Sequence, residues 1–97
     1  MAFVQIMELS TSKSDALMEL DAQWRAASEG KRTLRRSIVG RDRNDPKRHV
    51  ILAFFDSFES AMENSELPET KEFAAKFGDF TDGPIKFSDF DIIEDLS

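Results

Sequence analysis

"RDRNDPKRHVILAFFDSFESAMENSELPETKEFAAKF", residues 41–77, holds a turn, an apolar strand and an interrupted helix in succession. Asn44, Asp45 and Pro46 are turn formers, and the run from His49 to Phe55 is too short for a buried helix and rich in strand formers. Asp56 and Glu59 then stand at capping-box spacing, with Phe58, Ala61 and Met62 as the apolar side of a short helix. Pro68 interrupts that helix and suits the first position of a second piece, along which Phe73, Phe77 and Phe80 recur at i, i+4, i+7.

Outward from this stretch lie a second strand, a helix and two further strands, with no internal repeat. "TLRRSIVGRDR", residues 33–43, alternates as a strand in which Leu34, Arg36 and Ile38 share one side, and its link to the next strand is too short for a helix, so the two form a hairpin. Upstream, "STSKSDALMELDAQWRAASEG" predicts a helix capped by Ser12 or Ser14 and stopped by Gly30, with Leu17, Leu20, Trp24 and Ala27 on one face. "AFVQIMEL" at residues 2–9 and "IKFSDFDII" at residues 85–93 supply the first and last strands.

The order is βαββαβ over one domain, residues 1–97. That is the ferredoxin-like α+β arrangement, a four-stranded antiparallel sheet with both helices on one face. The other face needs cover, because the first and third strands are apolar on both sides. A homodimer through the sheet faces is expected, with Phe3, Met7 and Ile51 or their alternating neighbours Val50, Leu52 and Phe90 in the contact, burying above roughly 2,000 Å² in total.

Composition narrows the chemistry. The chain has no cysteine, which excludes disulfides, thiolate metal sites and cysteine nucleophiles. Its longest apolar run, Val50 to Phe55, is far short of a membrane span, and no secretory signal pattern opens the sequence, so a cytoplasmic protein without membrane contact is expected. The net charge of −6 is unevenly spread: residues 31–48 hold eight of the thirteen basic side chains, whereas from Asp56 onward twelve acids face three lysines. Such a run is ordinarily a solvated face, and the acidic total opposes nucleic-acid binding.

The succession of strand, helix, hairpin with Asp45-Pro46, apolar strand ending at Phe55, "SFESAMENS" and broken second helix resembles the dimeric α/β-barrel proteins of the antibiotic biosynthesis monooxygenase type. Within it, residues 41–92 are similar to a branch of small actinobacterial proteins. The resemblance implies a dimeric α/β barrel and a family of cofactor-free oxygenases, haem-degrading enzymes, isomerases and cyclases. Haem-degrading members carry a helix histidine as iron ligand where this chain has Asn64, so no haem and no other cofactor is expected. With a single histidine and no metal-ligand spacing among the acids, no metal is expected either.

The candidate residues each carry two readings. His49 is the catalytic candidate, since imidazole titrates near neutrality unaided; the plain alternative is an exposed residue at a strand mouth. Arg36 shares an apolar strand face with Leu34 and Ile38, where it either anchors a ligand's anionic oxygen or finds an ion pair or the solvent rim. Trp24, Phe54, Phe77 and Phe80 either roof a pocket for a planar aromatic or polyketide-like ligand or are plain core. Asn64, with Gln5, orients a ligand carbonyl or caps a helix. Function therefore reads as cofactor-free oxygenation or binding of such a ligand, or as a non-catalytic binding or structural dimer. An RNA-recognition module shares the element order, but the third strand lacks its basic-Gly-aromatic-Gly opening.

Overall fold

The computed structural model describes residues 1–97. Strands β1 (Phe3–Ser10), β2 (Arg36–Arg41), β3 (Arg48–Phe55) and β4 (Lys86–Asp91) form one antiparallel sheet in the order β2-β3-β1-β4. Helix α1 (Ser14–Ala27) joins β1 to β2, while α2 (Phe58–Glu66), α3 (Pro68–Phe77) and a 3₁₀ turn (Gly78–Phe80) join β3 to β4. This is the expected ferredoxin-like arrangement, with the second helix divided in two at Leu67-Pro68. Leu67 is extended at φ −61°, ψ 135°, as a residue before proline prefers, and Pro68 opens α3 where its missing N–H costs nothing.

The helix caps differ in detail from the expectation. Ser57, rather than Asp56, caps α2: its Oγ accepts the Ser60 N–H at 3.0 Å. Asp56 is instead drawn away by Arg35, whose Nη2 and Nε lie 2.6 and 3.0 Å from one carboxylate oxygen. Helix α1 begins at Ser14 without a side-chain cap; Thr11, fully buried, accepts the Lys13 N–H at 2.9 Å and donates to the Phe80 carbonyl at 2.6 Å. That bond ties the start of α1 to the 3₁₀ turn. Gly30, after the C-terminus of α1, takes the left-handed φ of +78° that favours glycine.

The strand register decides which side chains meet the helices. Facing them, successive rungs across the sheet read Phe3 with Phe55, then Gln5 with Ala53 and Ser37, then Met7 with Ile51 and Val39, then Leu9 with His49 and Arg41. The opposite face carries Val4, Ile6, Ile38, Val50, Leu52, Phe54 and Phe90, with Arg36 at one end. Of the two sets considered for a sheet-face contact, Val50, Leu52 and Phe90 therefore stand on the helix-free face, whereas Phe3, Met7 and Ile51 are under the helices.

Buried side chains under the helices gather in two clusters, one towards each end of the sheet. Phe3, Ala53, Phe55 and Ala61 form one core cluster, with Leu34 against it. Leu9, Leu17, Leu20 and Phe77 form the other, joined by Ile51, Phe73, Phe80 and Ile85. Along β1 the exposure of Phe3 and Leu9 is 2% and 4%, while Gln5 and Met7 between them are only half-buried. On β1, packing is loosest at the two middle rungs.

Candidate functional site: a cavity between two half-cores

Between the two clusters lies a cavity of about 310 Å³. The two middle rungs make its floor: Gln5, Ala53 and Ser37, then Met7, Ile51 and Val39, with Phe87 from β4 beside Met7. Its roof is helical: Leu17, Asp21 and Trp24 from α1, Asn64 and Ser65 from the end of α2, and Thr70, Phe73 and Phe77 from α3. A cavity of this size, mostly apolar with a few polar groups, has the character of a small-molecule site.

The aromatic wall is held in place by polar ties. Trp24 Nε1 donates to Thr70 Oγ1 at 3.0 Å, the Arg32 guanidinium lies 5.8 Å over the indole, and the Phe73 ring packs at 5.9 Å. Phe73 in turn meets Phe77 at 5.3 Å. An aromatic side chain fixed by a hydrogen bond and a stacked cation presents a rigid surface, at little further entropic cost, to whatever occupies the cavity.

Asn64 is the most constrained polar group of the lining. It is buried, and its Oδ1 accepts the Thr33 N–H at 3.1 Å, while Thr33 Oγ1 donates to the Ser60 carbonyl at 2.6 Å. With the oxygen committed to Thr33, the amide is oriented, and its Nδ2 is left free to donate to a ligand. The Pro68 break accounts for this position: it ends α2 just beyond Asn64, so the residue sits in a last helical turn facing the β2 approach. On the floor, Gln5 Nε2 donates to Asp89 Oδ1 at 3.3 Å.

The structure divides the residues singled out from sequence. Trp24, Asn64 and Phe77 come together in the lining, as does Gln5. Arg36 and Phe54 do not: they pair across β2 and β3 on the helix-free face, where the Arg36 guanidinium lies 5.9 Å over the Phe54 ring. The reason is that strand alternation starts only at Arg36; Leu34 precedes β2 and turns in against Phe3 and Phe55, so it does not share a face with Arg36. Phe80 packs with the Leu9 cluster outside the cavity, held there by the bond to Thr11.

His49 is neither at an exposed mouth nor in the cavity. It is 7% exposed on the rung beyond the floor, opposite Leu9 and Arg41, and its Nδ1 lies 2.8 Å from the Lys47 carbonyl. A carbonyl only accepts, so Nδ1 carries a proton and the ring orders the turn before β3. Sequence reading missed Asp21 and Lys71, the two ionic side chains of the lining. Asp21 shows a signal in hindsight, three residues before Trp24 on the same helical face. No group of three or more His, Asp and Glu side chains converges anywhere with the arrangement of a metal site, and no helix is long and apolar enough to cross a membrane.

No family model matches the sequence, and no curated protein matches it. Solved structures do. SnoaB from Streptomyces nogalater, described as a cofactor-independent oxygenase, superposes with a TM-score of 0.81 at 11% identity, covering 98% of this chain and 96% of that one. Rv0793 from Mycobacterium tuberculosis does so at 0.80 and 13% identity over 100% of both chains. A candidate antibiotic biosynthesis monooxygenase from Nitrosomonas europaea reaches 0.78 at 17% identity, covering 95% of this chain and 90% of its own. At such identities the likeness speaks for architecture: this chain has the ferredoxin-like fold of the antibiotic biosynthesis monooxygenase-like proteins.

Proposed function

We propose that this protein binds a small planar aromatic or polyketide-like molecule in the cavity and oxygenates it without a cofactor. The observation that carries the reading is the cavity itself: about 310 Å³ between two half-cores, walled by a polar-tethered Trp24 with Phe73 and Phe77, and equipped with one oriented amide donor at Asn64. In such chemistry a deprotonated, electron-rich substrate reduces dioxygen directly, one oxygen atom entering the substrate and the other leaving as water. The protein then needs to hold the substrate, stabilise its enolate oxygen and keep bulk water away. The free Asn64 amide hydrogens suit the second task and the apolar lining the third. SnoaB, described as a cofactor-independent oxygenase, shares the fold and supports the reading.

Binding without turnover is the second reading, and the position of His49 favours it. The one imidazole of the chain lies outside the lining, so the cavity holds no histidine, and Asp21 is its one carboxylate. Both readings include a homodimer closed over the helix-free sheet face, where Ile38 and Phe90 stand 36% and 53% exposed beside Ile6, Leu52 and Phe54.

Trp24, the single tryptophan, forms part of the cavity wall and is therefore a built-in reporter. Titration with hydroxylated polycyclic aromatics is expected to quench its emission saturably, at one molecule per chain. Oxygen uptake in the same samples without added cofactor separates the readings: uptake that falls in Asn64→Ala supports oxygenation, quenching without uptake supports binding alone, and no quenching refutes both.

A further inference from the structure

The charge of the ligand follows from which ionic groups the cavity keeps available. Asp21 and Lys71 are the ionic side chains of the lining. Asp21 has a partner one turn along its own helix, with Arg25 Nε 3.1 Å from its carboxylate, but Arg25 is 59% exposed, so the carboxylate keeps its field towards the cavity. Lys71 is paired with Glu66 at 3.0 Å, but the two side chains are 61% and 74% exposed. An ion pair that open to solvent contributes little, so exchanging Glu66 for another anion costs little. An anion delivered together with an apolar body gains more, because the ligand displaces the water that screens Lys71.

Neighbouring cations have other work. Arg32 lies over the Trp24 indole and donates through Nη1 to the Arg25 carbonyl at 2.7 Å, Lys31 is committed to Glu69 at 3.3 Å, and Arg36 stands on the opposite face of the sheet. We propose that the ligand is an aromatic monoanion, a planar apolar body bearing one carboxylate, sulfonate or phenolate, and that Lys71 holds this group at the rim of the cavity. The inference rests on the cavity being the binding site, and refines it by naming the ligand's charge and its anchor. Lysine, a point charge without arginine's planar fork, accepts any of these anions without demanding a bidentate geometry. Asp21 sets the sense of binding, since it repels the anionic end.

Two fluorescent probes that differ by one sulfonate test this: 8-anilinonaphthalene-1-sulfonate and the neutral N-phenyl-1-naphthylamine. The expected result is that Lys71→Gln weakens the sulfonate probe about fivefold, the scale of one partly exposed charge pair, and the neutral probe by less than about twofold. Lys76→Gln, on the same helix and with the same change in net charge but outside the lining, leaves both affinities in place. Equal loss of both probes in Lys71→Gln, or equal weakening of the sulfonate probe by Lys76→Gln, overturns the anchor while leaving the cavity standing. Failure of both probes to bind the unaltered protein overturns the proposed function, and the anchor with it; binding of the neutral probe alone overturns only the anchor.

Discussion

Ala53→Ile distinguishes a cavity from a solid core by the sign of its effect. Ala53 is 7% exposed, stands at the centre of the floor between Gln5 and Ser37, and lines the cavity. Isoleucine adds three carbons there, and at ~0.8 kcal/mol per buried CH₂ the gross gain is about 2.4 kcal/mol. Ordering the side chain takes back about 0.5–1 kcal/mol, leaving about 1.5 kcal/mol. For a domain of this size, about 4–8 °C per kcal/mol translates that into a melting temperature raised by about 6–12 °C. β-branching suits the strand and adds no penalty. In a close-packed core the same carbons would be overpacked and would cost about 1–3 kcal/mol. Thermal melts followed by far-UV circular dichroism decide between the two. A clear fall in melting temperature, with affinity for N-phenyl-1-naphthylamine unchanged, refutes the argument that the middle rungs face empty space.

Asn64→Ala removes the acceptor of the Thr33 N–H and is expected to cost about 1–2 kcal/mol of stability, a melting shift of about 4–16 °C, and to weaken aromatic ligands; stability and affinity both unchanged would show that the amide is not the organised donor described here. Leu52→Asp, in the helix-free face, is expected to convert a dimer of this 11.1 kDa chain to monomer in light scattering, with the circular dichroism spectrum retained; a dimer that persists places the contact elsewhere. The Arg35 guanidinium holds the Asp56 carboxyl below its usual range, so this pair stabilises the fold fully above the ordinary aspartate pKa of about 3.9 and loses its contribution as the pH falls through the depressed value. The melting temperatures of the wild type and Asp56→Asn are accordingly expected to differ slightly at pH 6 and to converge in acid; a gap that widens in acid contradicts the sign.

The fold was legible because its signals are local. The turn at Asn44–Pro46, the alternation of β1 and β3 and the Pro68 break each act within a few residues, and each reappears in the structure where its chemistry requires. The site was legible in part. Trp24 and Phe77 stand out because helical periodicity marks an inward face, and Asn64 because the family resemblance puts it where haem-degrading relatives carry a histidine. Arg36 was misplaced by a phase error: the alternation was extended back to Leu34, and β2 starts two residues later, so a face assignment sound within the strand failed at its edge. His49 drew attention by its chemistry, but only the pairing of β3 with β1 and β2 shows that it belongs to the rung beyond the floor. Lys71 and Asp21 looked like ordinary solvated charges, and their place at a cavity rim depends on how α1 and α3 lie over the sheet, which no single segment encodes.

The most direct test of the central claim is a crystal structure of this protein with N-phenyl-1-naphthylamine, because the chain offers that probe two apolar destinations. The probe is expected between helices and sheet, its rings against Trp24, Phe73 and Phe77 and over Met7 and Ile51, beside Asn64. A probe found instead on the helix-free face against Ile6, Leu52 and Phe54, with the middle rungs closed up beneath the helices, would contradict it.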